Sequence, residues 1–217
     1  MPRIENEETR RAQIVSAMRR MEARGLNRGT TGNVSVRHEK GMLITPSGIT
    51  AEHLTADQIV FLDERQARAA DALAPSSEWQ MHAALLAARP DVNAVVHCHS
   101  RFATILACAG KPIPPLHYMV GVAGRPDIPL APYATFGSAA LAANIAATLQ
   151  TGFACLMANH GQIVAAPGLS RALMIAEEVE EQAAVYWGTL AIGGPNILSD
   201  ADMTDNFRQF SQYGQKR

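Results

Sequence analysis

The sequence predicts a layered α/β domain, because segments with the period of a helix alternate with segments with the period of a strand along the chain. No internal repeat interrupts this alternation, and a length of 217 residues fits one domain over residues 1–217. Hydrophobic residues make up 47% of the chain and charged residues 18%, so the chain can bury a core and intrinsic disorder is excluded.

The charge pattern excludes several classes of partner. The chain has 19 Lys and Arg against 20 Asp and Glu, without a basic block, so we expect neither nucleic acid nor a membrane surface as partner. No stretch of about 18 apolar residues is present, and the polar N-terminus lacks the apolar core of a signal peptide. We therefore expect a cytoplasmic protein whose partners are small molecules and other copies of itself.

The first third of the chain predicts one helix, over residues 6–25, followed by three strands. Polar and apolar residues alternate from Asn33 to His38, which is typical of a half-buried strand, here leaving a glycine-rich turn. Apolar runs at residues 42–49 and 58–63 predict two more strands, and residues 64–75 read as a polar loop.

The middle of the chain begins with a helix. Ser77 and Gln80 have the spacing of a capping box, which predicts a helix that begins at Ser77 or Glu78 and ends at Arg89, before a proline. An apolar strand over residues 93–99 and a short helix over residues 101–108 follow.

A proline-rich segment separates these elements from the last third of the chain. Six of the twelve prolines fall between Lys111 and Phe136, which forbids long helices and predicts an extended segment on the surface or across a subunit boundary. The remaining pattern predicts a helix over 138–149, a strand over 153–159, a long helix over 170–190 and a last helix over 199–213.

The three cysteines indicate which side chains could hold a metal. Cys98, Cys108 and Cys155 are odd in number, far apart and free of any CxxC pair, which argues against both a disulfide framework and a cysteine zinc site. Any metal must therefore be held by histidine and carboxylate.

Two histidines lie two residues apart on the predicted strand over 93–99. His97 and His99 therefore face the same side, while Cys98 faces the other. His160 follows another predicted strand, and three neutral imidazoles form a common catalytic zinc set with an open fourth position. The alternative is that one histidine of the pair is buried and hydrogen-bonded while the other is exposed.

Glu78 is a second candidate for the site. An acidic residue in the first turn of a helix also complements the helix dipole, which alone explains its position. Glu78 and His82 share a helix face and could form a separate ligand pair, but the apolar surroundings of His82 favour a packed core residue.

Three small-residue segments could bind an anion through converging backbone N–H groups. They are Gly29–Asn33, Thr45–Gly48 and the pair Ser76 and Ser77 at a helix start. Each is alone an ordinary turn, and no nucleotide-binding GxxxxGK[ST] motif is present. Together with the histidines, they indicate a small phosphorylated substrate.

Five motifs occur in a characteristic order, namely GTTGNVSVR, LITPSGI, PSSEW, AVVHCHS and NHG. In this order and spacing the chain resembles the class II aldolase and adducin family over nearly its whole length. The stretches LHYMVGVAG, APYATFG, LAIGGPNILSD and FSQYG make it most similar to the bacterial L-fuculose-1-phosphate aldolase branch.

This resemblance implies a single three-layer α/β/α domain with a central, mostly antiparallel sheet. It also implies a homotetramer with active sites between neighbouring subunits. One Zn²⁺ per subunit would be held by His97, His99 and His160, with Glu78 as a fourth ligand in the resting state.

The resemblance also implies the residues that handle the substrate. Glu78 would be catalytic, together with Tyr118 and Tyr213 reaching in from the adjacent subunit. The substrate phosphate would be bound by Thr30, Asn33, Ser47, Gly48, Ser76 and Ser77.

The implied reaction is the reversible cleavage of a ketose 1-phosphate into dihydroxyacetone phosphate and an aldehyde, with zinc as the Lewis acid. No Schiff-base lysine is expected, since Lys40, Lys111 and Lys216 all lie outside the motifs. An L-ribulose-5-phosphate 4-epimerase-like enzyme, or a decarboxylase or dehydratase of the same family, is an alternative. A non-catalytic adducin-like structural module is disfavoured because the three histidines and Glu78 are all present.

Overall fold

A seven-stranded sheet separates two layers of helices in the computed structural model, which describes residues 6–212. The strand order is β3-β2-β1-β4-β7-β6-β5, and every neighbouring pair is antiparallel except β5 and β6. The strands are β1 Asn33–His38, β2 Gly41–Ile44, β3 Val60–Asp63, β4 Ala94–Cys98, β5 Leu130–Ala131, β6 Ala154–Met157 and β7 Gly161–Ala166.

Helices cover both faces of this sheet. They are α1 Glu7–Ala23, α2 Trp79–Ala88, α3 Arg101–Cys108, α4 Ala139–Thr148, α5 Leu169–Leu190 and α6 Asp200–Gln212, with short 3₁₀ helices at Ala56–Gln58 and Tyr118–Ala123. Among residues 6–212, no helix has both the length and the apolar character needed to cross a membrane.

Each face of the sheet has its own hydrophobic core. On one face, apolar side chains of α1, α3 and α5 pack against the strands, with Val96 and Cys98 of β4 among them. On the other face, α2 and α4 pack against Val95 of β4 and Ile163 of β7. This arrangement confirms the three-layer, mostly antiparallel fold, and it explains why β4 and β7 are buried on both sides.

The predicted half-buried character of β1 is wrong. Asn33 and Ser35 are 3% and 0% exposed, although they are polar and alternate with valines. They are buried because α2 covers their face of the sheet, where both side chains hydrogen-bond to His82 of that helix. A polar face of a strand can be buried when its groups find partners.

Strand β7 was not predicted from the sequence. It follows β6 after a short turn in which Asn159 has a left-handed backbone with φ of 55°. Gly161 begins β7 where a side chain has no room, since an added Cβ would lie 2.5 Å from the backbone oxygen of Cys98. Reading Ile163 to Ala166 as a strand would have required the turn chemistry of residues 159–161.

The predicted capping box of α2 is also wrong. The helix begins at Trp79 with Glu78 at the N-cap position, and no side chain caps it. The side chain of Glu78 points instead to the three histidines, and the buried Oε1 of Gln80 has no hydrogen-bond partner. Glu78 occupies the N-cap position, but its carboxylate contacts His97 and His160 and does not cap the helix.

The proline-rich segment is extended, as predicted, apart from the 3₁₀ helix at Tyr118–Ala123 and the two residues of β5. Helix α6 packs on this 3₁₀ helix, where Gly121 leaves room for Phe207 and Phe210. Tyr133 and Phe136 of the same segment are 61% and 66% exposed, although both are large and aromatic.

Helix α3, which begins two residues after His99, is capped from a distant helix. The Glu180 carboxylate of α5 accepts hydrogen bonds from the backbone N–H groups of Phe102, at 2.9 Å, and Ala103, at 3.0 Å. Ser100, at the N-cap position, makes no capping bond, because its hydroxyl accepts from Gln162 instead. Glu180 thus ties α5 to the start of α3 through charge-assisted hydrogen bonds.

We predict that Glu180→Ala lowers the free energy of unfolding by about 2 kcal/mol, because two helix-terminal N–H groups lose their acceptor. Urea unfolding followed by circular dichroism measures the effect. Glu181→Ala changes the exposed neighbour on the same helix and serves as the control. Equal stabilities of the two variants would contradict the capping role of Glu180.

Candidate metal centre

Four side chains converge at one end of the sheet. They are Glu78 at the start of α2, His97 near the end of β4, His99 just after β4, and His160 in the turn between β6 and β7. One ligand atom from each lies within 4.8 Å of the others. The structure thus brings together the three histidines and the carboxylate that the sequence singled out.

The Nε2 atoms of the histidines point toward a common position. Nε2 of His99 lies 3.0 Å from Nε2 of His97, which is 3.3 Å from Oε2 of Glu78. Nε2 of His160 lies 3.0 Å from Oε1 of Glu78. Ligand atoms at the corners of a tetrahedral zinc site are about 3.3 Å apart, so this spacing fits such an ion.

His97 is held in one orientation from behind. Its Nδ1 lies 2.8 Å from the backbone oxygen of Gln162, to which it can only donate a hydrogen bond. In the neutral ring this leaves a lone pair on Nε2, directed at the other three side chains. A carbonyl partner on the far nitrogen is a common device for orienting a metal-binding histidine.

The electrostatics favour an ionised carboxylate beside neutral imidazole. Burial acts to raise the pKa of Glu78, but the electrostatic interaction with His97 and His160 outweighs burial and holds that pKa well below its ordinary value. Burial, reinforced by His97 and His160, lowers the pKa of His99 to about 4. A carboxylate and neutral imidazoles are the protonation states that bind metal.

One carboxylate oxygen remains unsatisfied. Oε1 of Glu78 has no hydrogen-bond partner, although Nε2 of His160 lies 3.0 Å from it. A buried carboxylate oxygen without a donor costs free energy unless a cation is nearby. The donor set, three imidazole nitrogens and one carboxylate, therefore fits a divalent ion such as zinc.

Behind Glu78 lies a buried polar network that sequence reasoning missed. Nδ2 of Asn33 donates to Oε2 of Glu78 at 3.0 Å, and Oδ1 of Asn33 lies 2.5 Å from Nε2 of His82. Nδ1 of His82 lies 2.8 Å from Oγ of Ser35. His82 is thus not joined with Glu78 in a ligand pair, because both of its ring nitrogens are engaged elsewhere. Its surroundings lower its pKa to about 3, mainly through burial.

Two of the three segments proposed to bind phosphate, Thr45–Gly48 and the pair Ser76 and Ser77, lie side by side. Pro46 and Pro75 form an isolated antiparallel bridge, and the N–H of Ser76 donates to the oxygen of Thr45 at 2.9 Å. Gly48 has a φ of 74° and no atom within 4 Å of where a Cβ would stand, so its backbone is open. Ser47, Gly48 and Ser77 are exposed beside the buried Ser76, and Thr30 lies in an exposed turn before β1.

The two tyrosines of the sequence analysis have different outcomes. Tyr118 begins a 3₁₀ helix, is 49% exposed, and has Phe210 of α6 and His117 as its ring neighbours. The structure does not join it to the four converging side chains of the same chain. Tyr213 lies outside the described residues.

Comparison with known proteins identifies the family of this chain and several of its relatives. The family described as "Class II Aldolase and Adducin N-terminal domain" matches residues 12–187. A 5-methylthioribulose-1-phosphate/5-deoxyribulose-1-phosphate aldolase of Rhodospirillum rubrum is 46% identical over 201 residues, covering 93% of this chain and 90% of that protein.

Two further relatives are L-fuculose phosphate aldolases. The protein of Escherichia coli (strain K12) is 45% identical over 203 residues, covering 93% of this chain and 94% of its own. A solved structure of an L-fuculose 1-phosphate aldolase superposes with a TM-score of 0.90 at 36% identity, covering 94% of this chain and 96% of that one.

The burial of His82 predicts a specific loss of stability in acid. In the unfolded chain His82 takes up a proton below about pH 6.5, whereas in the folded protein its pKa is about 3. The free energy of unfolding therefore decreases as the pH falls. The contribution of His82 to this decrease is about 2 kcal/mol between pH 7 and pH 5. His82→Gln is expected to remove that share of the pH dependence.

Urea unfolding of the chelator-treated protein at pH 7 and pH 5 measures the difference. His53→Gln, at an exposed histidine, is the control. A His82→Gln variant that loses as much stability on acidification as the unsubstituted protein would contradict a histidine kept neutral by burial.

Proposed function

We propose that this chain, which belongs to the class II aldolase and adducin family, reversibly cleaves a ketose 1-phosphate into dihydroxyacetone phosphate and an aldehyde. Lyase activity follows from the family and from its aldolase relatives. The observation that carries the finer proposal is the convergence of Glu78, His97, His99 and His160 on one position.

The metal of this site is proposed to be one Zn²⁺ per subunit, held by His97, His99 and His160 with Glu78 as the fourth ligand. The nitrogen-rich donor set, with ligand atoms 3.0–3.3 Å apart in three of the pairs, supports zinc over Mg²⁺ or Ca²⁺, which prefer oxygen ligands. When bound, the ion supplies Lewis-acid stabilisation of the negative charge that develops as the C3–C4 bond breaks.

Glu78 is proposed to carry the proton at carbon 3. Cleavage leaves excess electron density on this carbon of the dihydroxyacetone phosphate fragment, which must be protonated there. In the condensation direction, Glu78 removes the same proton. The position of the Glu78 carboxylate at the converging site, with one oxygen that has no hydrogen-bond partner, supports this role as a general base.

The phosphate is proposed to bind to Thr30, Ser47, Gly48, Ser76 and Ser77, and to the backbone of Asn33, whose side-chain amide is engaged by Glu78 and His82. The adjacency of the two turns and the open backbone at Gly48 support a phosphate there. A phosphate bound at these turns would hold the dihydroxyacetone half of the substrate beside Glu78, since Ser76 and Ser77 directly precede that residue.

We propose that the chain forms a cytoplasmic homotetramer. In it, Tyr118 and Tyr213 act on the aldehyde-side oxygen of a substrate that is bound in the active site of the neighbouring subunit. The half-exposed ring of Tyr118, together with the exposed aromatic side chains of Tyr133 and Phe136, supports a subunit boundary at the proline-rich segment. In this arrangement the aldehyde end of the substrate meets residues from two chains.

The aldehyde distinguishes the candidate substrates. The names of the relatives share a sugar phosphate, which is a 1-phosphate wherever the name gives the position, and they differ in the sugar. We propose an L-fuculose 1-phosphate-like substrate. A 5-deoxypentulose 1-phosphate is the second candidate, favoured by the 46% identity to the Rhodospirillum rubrum protein.

We predict that the purified chain releases dihydroxyacetone phosphate from L-fuculose 1-phosphate or 5-deoxyribulose 1-phosphate. Dialysis against a chelator is expected to lower the rate at least 100-fold, and Zn²⁺ to restore it, because three imidazoles cannot replace a Lewis acid. A coupled reductase assay with metal analysis measures both.

Three outcomes would contradict the proposal. Release that is insensitive to complete metal removal would exclude the metal-dependent mechanism. Inversion of L-ribulose 5-phosphate without cleavage of any ketose 1-phosphate would favour the epimerase alternative. A chain that binds no divalent ion and has no activity would favour the adducin-like module.

We predict that Glu78→Gln slows exchange of the carbon 3 proton of dihydroxyacetone phosphate by about 10²–10⁴-fold, because an amide cannot act as the base. Deuterium exchange followed by NMR isolates this step, and Zn²⁺ is added to both proteins until metal analysis shows equal loading. Glu52→Gln replaces an exposed acidic residue as the control. Full exchange by the Glu78 variant would remove Glu78 from the base role.

A further inference from the structure

His82 is a buried polar residue to which the proposed reaction gives no task. It lies one helical turn after Glu78 on α2 and is 0% exposed, as is Ser35, while Asn33 is 3% exposed. A histidine in such a position needs partners for both ring nitrogens, and β1 supplies them from a single face. A chain that needed only to fill this space could do so with an apolar residue.

The hydrogen bonds of this network run in one direction. Nδ2 of Asn33 donates to Oε2 of Glu78, so the amide oxygen of Asn33 must accept from Nε2 of His82. Nδ1 of the neutral His82 ring then accepts, and the hydroxyl of Ser35 donates to it. Three successive bonds thus lead from Ser35 through His82 and Asn33 to the carboxylate.

This chain of bonds decides which way the Asn33 amide faces. An amide without a fixed partner can rotate, and rotation would turn its oxygen toward the oxygen of Glu78. The two oxygens would repel each other. The N–H of His82 prevents this rotation because it requires the amide oxygen on its own side.

A competing conformation is available to Glu78. This residue occupies the N-cap position of α2, whose first N–H groups receive no side-chain cap. A negatively charged side chain is favoured there by the helix dipole, so a carboxylate released by Asn33 could turn back toward its own helix. The bond from Asn33 holds it among the histidines instead.

We propose that His82 is a positioning residue that fixes the Asn33 amide, and through it the carboxylate of Glu78, at the metal centre. The effect on turnover rests on the proposed function. The effect on metal affinity rests only on the proposed ligand set, to which Glu78 belongs, and not on the proposed reaction.

Three variants test this proposal through the binding of Co²⁺, followed by its visible absorption in competition with a chelator. His82→Leu is expected to weaken binding about 10-fold or more, the usual range for partners that orient ligands, and to lower kcat by a similar factor. His82→Gln is expected to recover most of both, because its amide can donate to Asn33 and accept from Ser35. Ser35→Ala is expected to have a smaller effect in the same direction.

A double-mutant cycle separates positioning from general loosening of the core. Ser35→Ala is expected to cost nothing further in the His82→Leu background, since the route from Ser35 to Glu78 is already broken. Gln182→Leu, which removes a buried polar group of α5 bonded to Glu178, is the matched control. It is expected to change stability but neither Co²⁺ binding nor kcat.

The outcomes of the two proposals are distinguishable. If no ketose 1-phosphate is cleaved by the unsubstituted chain, the proposed function fails while Co²⁺ binding still tests His82. If His82→Leu binds Co²⁺ as tightly as the unsubstituted chain, the positioning role is overturned. Should His82→Leu fail to fold, Ser35→Ala carries the test, and the role is overturned if that variant binds Co²⁺ and turns over normally.

Discussion

The position of β4 between β1 and β7 is the constraint on which the site depends. In this register Asn33 pairs with His97, and the turn that carries His160 precedes β7 at the same end of the sheet. Side chains alternate between the two faces, so a slip of one residue would exchange His97 for Cys98 at the site. The two cores oppose that slip, because Val96 and Cys98 pack on one face and Val95 packs on the other.

Burial sets the chemistry of the converging groups. Taking polar and charged side chains out of water costs free energy, which is offset only when each finds a partner. Ser35, His82 and Asn33 satisfy one another, and a backbone carbonyl satisfies His97. Of the four converging side chains, Glu78 has a carboxylate oxygen, Oε1, that is buried and has no hydrogen-bond donor. Among the four converging side chains, the unpartnered oxygen is therefore a charged carboxylate oxygen at the position where a cation fits.

Much of this architecture was predictable from the sequence. The sequence patterns located all six described helices. The bounds of α3 were predicted at the observed residues, and those of the other five helices within a few residues. The spacing of His97 and His99, with His160 after a later strand, predicted the convergence of three imidazoles. Strand β7 was missed because its apolar run follows a turn that depends on the left-handed backbone of Asn159. The hydrogen bonds of His82 were missed because they join residues of a helix and a distant strand, which no local pattern reveals.

Three expectations from local sequence patterns are not met in the elements that carry Glu78, Asn33 and His160. The capping box of α2 is not formed, the polar face of β1 is buried, and the β6–β7 turn has a left-handed asparagine before a glycine without room for a side chain. Each departure costs some stability, and each brings a group of the site into position: Glu78, Asn33 and His160 respectively. Local preference and overall structure agree in α1 and α4, whose N-cap side chains, Asn6 and Ser138, accept the expected hydrogen bonds. At these three positions the geometry of the site, rather than local preference, therefore determines the backbone and side-chain conformation.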